Sequence, residues 1–120
     1  MSYDHQLRVT RIEREHAAAV KALVAAGDEV NTIKRRRAEK FVGREQLVAD
    51  VGSGAVSGQV GAMRLAILDA DMRDLDALLP LALQCSNAIG NKVSELVRHL
   101  SFARIALVNA ERAEASASGL

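Results

Sequence analysis

Two runs of apolar or small residues, spaced alternately three and four apart, set the limits on what this chain can become. The longer passes through Leu65, Leu68, Met72, Leu75, Leu79, Ala82, Ser86, Ile89, Val93, Leu96, Leu100, Ala103, Leu107 and Ala110. The shorter takes in Val9, Ile12, His16, Ala19, Leu23, Ala26, Val30 and Ile33. A repeat held over roughly six heptads returns side chains to one stripe of an α-helix and is incompatible with the two-residue alternation of a strand. The spacing therefore predicts two long helices, each with a coiled-coil seam along one face.

Composition favours the same answer. Only Tyr3, Phe41 and Phe102 are aromatic, so Ala, Leu and Val must do the packing. That suits closely approaching helices better than an enzyme pocket. The 120 residues correspond to one domain, 1–120. A formal charge of +1 argues against whole-chain attraction to nucleic acid or acidic lipid while leaving local patches open. Cys85 is the only cysteine, which excludes an internal disulfide and makes a small packed side chain in a reducing compartment the default. The stretch from Tyr3 to Arg14 is dense in charge, unlike a cleaved Sec signal, and no apolar run reaches the roughly 18 residues of a membrane span. The expectation is a cytoplasmic protein, or a virion or assembly component, without a membrane span.

The first helix is expected over residues 4–51, capped by Ser2 or Asp4. Gly27-Asp28 is its one candidate break, yet the seam keeps phase through Leu23, Ala26, Val30 and Ile33, which favours continuity. The stretch 52–61 holds four of the eight glycines and is expected to be the loop. The second helix follows over 62–114, with 115–120 a frayed tail. Pro80 lies inside it after Leu79, a poor cap, so a kink is expected rather than a new start. Gly90-Asn91 is a further weak point. Breaks at Gly27, Pro80 and Gly90 together would give the alternative, a compact bundle of four or more shorter helices.

Two long helices joined by a short loop pair antiparallel. Centring the turn near Val56 sets Ala26 and Gly27 opposite Ser86 and Cys85, a small central layer. It also sets Lys34, Arg35, Arg36, Arg37, Lys40 and Arg44 beside Asp69, Asp71, Asp74 and Asp76. One conflict remains beyond Ile33. The first seam there continues as Arg37, Lys40 and Arg44 against leucines, and an inserted four-residue step is expected to rotate Phe41 and Val48 inward. Around Pro80 the second helix is apolar nearly all round, at Leu78, Leu79, Leu81, Ala82 and Leu83. One partner helix cannot cover that girdle, so the expected partner-binding surface is Leu68, Met72, Leu75, Leu78, Leu79, Leu81 and Leu83.

Other constellations carry less. Lys34, Arg35, Arg36, Arg37, Lys40 and Arg44 are a possible polyanion-binding set, although no aromatic residue alternates with them to stack bases. Glu13 and His16 have the Glu-x-x-His spacing of helical di-iron sites, but Glu95 and His99 do not supply the matching pair. His16, on the seam, reads as a register residue, and His5 and His99 as surface. There is no nucleophile elbow, paired cysteine motif or Walker loop, and no catalytic, metal or cofactor-binding residue is assigned. The acidic residues between the leucines argue against an anionic membrane surface.

The chain is thus expected to be an all-α antiparallel helical hairpin, a non-catalytic structural or adaptor protein that self-assembles or docks on a larger assembly through its apolar helical face. In outline such a hairpin resembles the stalk proteins of bacterial type III export and small helical secretion chaperones, in architecture and without a shared motif. A phage or plasmid-encoded assembly component fits the same features. The alternative is a nucleic-acid-binding module using Lys34 to Arg44.

Overall fold

The computed structural model describes residues 2–119. Helix α1 spans Ser2–Ser53 and α2 spans Gly58–Ser118, with no strand among the described residues. The fold is an antiparallel helical hairpin. Gly27-Asp28, Pro80 and Gly90-Asn91 all lie within unbroken helix, so the bundle of shorter helices does not form. At Gly27 the buried positions simply resume at Val30 and Ile33. Pro80 and Asp76, whose carbonyl the proline deprives of its helical donor, are both exposed residues.

The turn is tighter than the glycine content suggests. In place of a loop over 52–61, only Gly54, Ala55, Val56 and Ser57 leave the helices. Gly54 adopts φ 81°, a left-handed conformation that suits glycine, and its N–H donates to the Val51 carbonyl at 3.2 Å. The Asp50 carbonyl accepts from Val56 N–H at 3.2 Å and from the Ser53 hydroxyl at 3.1 Å. Ser57 then caps α2, its hydroxyl accepting from Val60 N–H at 3.2 Å. Local capping at both ends thus extends each helix into the glycine-rich stretch.

The frayed tail expected at 115–120 is likewise helical through Ser118, with Leu120 outside the described residues. Alternating Ala and Ser carry little helix penalty, and Gly119 N–H donates to the Ala115 carbonyl at 3.0 Å. Glu114 fastens this end. Its Oε1 accepts from Ser2 N–H at 2.8 Å and its Oε2 from the Ser2 hydroxyl at 2.7 Å. The same contacts occupy an otherwise orphan N–H in the first turn of α1.

Contacts gather into two compact units, Met1–Ala25 with Ser86–Leu120, and Ala26–Cys85. In the first, Val9, Ile12 and Ala19 of α1 pack with Leu96, Leu100 and Ala103 of α2, and Val93 and Leu107 close the cluster. Ala103 is 1% exposed, the tightest point of that core. Fully burying a side chain such as Ile12 or Leu100 contributes about 1.5–3 kcal/mol. In the second unit, Ala26, Val30, Ile33 and Leu47 of α1 are buried, while Leu65, Leu68, Met72, Leu75, Leu79 and Ala82 of α2 are half-buried. Gly61 is buried against Val51, and a Cβ placed on it would overlap the Val51 side chain. Close approach near the turn therefore depends on a glycine. Gly27 is different, because a Cβ there meets nothing within 4 Å, and Cys85 is exposed. Of the small layer expected here, Ala26 is buried and Ser86 half-buried, so Gly27 and Cys85 are the positions that depart from it.

Candidate interaction surface

The seam of α1 does not shift register beyond Ile33. Arg37, Lys40 and Arg44 keep the three-four spacing and are half-buried, and Leu47 returns to the buried set. Their charged ends reach the facing helix. Arg37 pairs with Asp76, Lys40 Nζ lies 3.2 Å from Asp71 Oδ2, and Arg44 Nε–H donates to Asp69 Oδ1 at 2.8 Å. Long aliphatic stems lie along the neighbouring helix while the heads find carboxylates, so no rotation is needed to hide the charge. Phe41 and Val48, expected to turn inward, are instead 47% and 48% exposed. Each pair is close to half-exposed and contributes at most about 1 kcal/mol, so the ladder sets register and orientation more than stability.

This ladder also sorts the basic stretch. Arg37, Lys40 and Arg44 are engaged within the hairpin, and Arg35 lies 4.0 Å from Glu39 along its own helix. Lys34 and Arg36 are exposed and make no ion pair among the described residues. Half of the possible polyanion-binding set is thus committed to the fold.

The leucines divide as well. Leu68, Met72, Leu75 and Leu79 lie on the seam, half-buried, and belong to the internal packing of Ala26–Cys85. Leu78, Leu81 and Leu83 point away from it and are 50%, 61% and 39% exposed. Leu78 and Leu81 border a furrow of about 330 Å³ between the two helices. Its deeper surface is Ile33, Leu75 and Ala82, and Cys85 continues the α2 rim. The α1 rim is Glu29, Thr32 and Arg36. An apolar channel with one acidic and one basic residue on the same bank is the most differentiated surface of this unit.

The remaining candidates stay apart. Glu13, Glu95 and His99 are exposed and His16 is half-buried, and no group of three or more metal-ligating side chains occurs among the described residues. No helix among those residues is long and apolar enough to cross a membrane. The Glu114 carboxyl is held below its ordinary value, first by the Ser2 hydroxyl and then by the Ser2 backbone N–H. Nothing in the residue types pointed to that clasp, since it joins residues at the two extremes of the chain. A second outward stripe, Phe102, Ile105 and Val108 on α2, is also exposed. Its three-residue spacing outside the seam was the available signal.

Compared with known protein families, curated proteins and solved structures, the chain matches none.

Proposed function

We propose that this protein is a non-catalytic structural or adaptor component that joins an assembly through the outward leucines of α2. The observation carrying this reading is the exposure of Leu78, Leu81 and Leu83 beside a seam whose own apolar and charged groups are already matched. Leu78 and Leu81 border the same furrow, with Leu83 on the other flank of the seam, and adjoining outward leucines are a recurrent mark of protein contact sites. The furrows along the hairpin are open to solvent and bordered by residues of only two helices, which suits a docking helix better than an enclosed substrate.

The experiment compares wild type with Leu81→Asp in two formats. Sedimentation equilibrium reads self-association, and affinity capture followed by intact-complex mass determination reads a foreign partner. A stoichiometric complex, with itself or another protein, that is present for wild type and lost for Leu81→Asp supports the reading. Identical behaviour of the two proteins in both formats contradicts it.

The polyanion reading retains Lys34 and Arg36, which have no partner among the described residues. It predicts nucleic-acid binding that falls steeply with salt and is lost on changing both residues to Gln. Binding that survives those changes would remove this stretch from consideration.

A further inference from the structure

The outward furrow has a symmetry that identifies its occupant. Glu29 and Arg36 stand two helical turns apart on one bank, exposed, and neither makes an ion pair among the described residues. Thr32 lies midway between them, on the same bank. Across the furrow, Leu78 and Leu81 flank the corresponding level of α2. We infer that the furrow docks a second copy of this chain, antiparallel, so that Glu29 of each copy faces Arg36 of the other. This rests on the functional reading above and adds to it the partner and its orientation.

The geometry follows from an isologous two-fold contact, in which the same patch meets itself. An axis crossing the helices at the level of Thr32 lays α1 on α1 and α2 on α2 with directions reversed. Reversal about Thr32 exchanges the positions of Glu29 and Arg36, so each acid meets one base and the contact occurs twice per dimer. On α2 the same operation brings Leu78 of one copy to Leu81 of the other. The result is a four-helix layer over this stretch with its leucines inside. An axis running along the helices would instead lay α1 on the α2 of the other copy. Glu29 would then face an α2 bank of Leu81, Ala82 and Cys85 without a cation, and only Arg36 would find a counter-charge, at Asp74 in the adjoining furrow, whereas the antiparallel arrangement matches both charges. Charge therefore selects the antiparallel arrangement, as complementary flanking charges do in helical assemblies generally.

The test uses the full chain, by sedimentation equilibrium over roughly 1–100 μM. Wild type should form a dimer. Glu29→Lys places like charges at both contacts and should weaken association about tenfold, and so should Arg36→Glu. The two variants mixed should form a heterodimer, because the introduced lysine of one faces the introduced glutamate of the other and the native Arg36 of the first faces the native Glu29 of the second. The double variant Glu29→Lys/Arg36→Glu should regain wild-type association to within about threefold. Leu81→Asp should abolish the dimer while far-UV circular dichroism stays helical. The heterodimer guards against misfolding, since a damaged hairpin is not repaired by a second damaged hairpin.

A wild-type monomer across the range overturns the inference. A dimer lost in Leu81→Asp but indifferent to both charge changes, with no heterodimer preference, overturns the antiparallel contact while leaving the functional reading intact. A dimer that persists in Leu81→Asp overturns the inference, and it overturns the functional reading as well when affinity capture of a foreign partner is equally unchanged.

Discussion

The two units of the hairpin solve the same packing problem with different residues. In Met1–Ala25 with Ser86–Leu120, the facing positions are Val9, Ile12 and Ala19 against Leu96, Leu100 and Ala103, and all six are buried. In Ala26–Cys85, three successive seam positions of α1 are Arg37, Lys40 and Arg44, held by Asp76, Asp71 and Asp69. The first arrangement draws on apolar burial, which salt does not screen. The second draws partly on half-exposed ion pairs, which contribute little and are screened. Both units carry outward apolar side chains, Phe102, Ile105 and Val108 in the first and Leu78 and Leu81 in the second, and in the second they lie beside a seam that also carries ion pairs. A seam can thus be shared between stability and contact, with charge marking the stretch that does both.

The sharpest way to break this contrast is through the apolar core. Leu100→Ala should lower stability by about 2–5 kcal/mol in urea unfolding followed by circular dichroism, whereas Leu78→Ala in dilute protein should change it by about 0.5 kcal/mol or less. Comparable losses at the two positions would erase the distinction. Glycine offers the next test. Gly61→Ala meets the Val51 side chain and should cost about 1–3 kcal/mol, recovered in part by Val51→Ala. Gly27→Ala meets nothing and should stabilise by about 0.5–1 kcal/mol through helix propensity, read as a higher thermal midpoint.

The ion-pair ladder should respond more weakly still. Arg44→Ala should cost about 0.2–1 kcal/mol at low salt, with the difference shrinking as salt is raised, while the Leu100→Ala difference does not shrink. The smallest expected effect concerns the Ser2–Glu114 clasp. Its carboxyl is held below the ordinary value, so its stabilisation is present above the unfolded-state pKa and is lost as pH falls through the folded-state value. Wild type and Glu114→Ala should therefore differ in thermal midpoint at neutral pH and converge in acid. A difference that grows on acidification would reverse the sign of this contribution.

Much of the hairpin was legible in residue spacing. Every seam position from Leu65 to Ala110 is buried or half-buried, and continuity through Gly27 followed from the phase of the spacing on either side, whereas Gly90-Asn91 read as a weak point and is unbroken helix. The seam was misread at Arg37, Lys40 and Arg44, because a residue-type pattern scores these as polar and sets aside their long aliphatic stems. Such a pattern turns Phe41 and Val48 inward, although both are exposed. Glycine content predicts too long a loop because it takes no account of the hydrogen bonds that Ser53 and Ser57 make at the helix ends. The candidate surface was half legible. A run of leucines says that a helix is apolar all round, but only the position of α1 separates Leu78, Leu81 and Leu83 from Leu68, Met72, Leu75 and Leu79.

The central claim is that Leu78 and Leu81 serve contact rather than core, and one paired measurement addresses it directly. The double variant Leu78→Ser/Leu81→Ser is compared with wild type for thermal midpoint at a dilution where both are monomeric, and for association at high concentration. The account predicts an unchanged midpoint and helix content in the dilute samples together with loss of association. A variant that unfolds or loses helix in dilute solution would contradict it, because the two leucines would then belong to the packing of the hairpin itself.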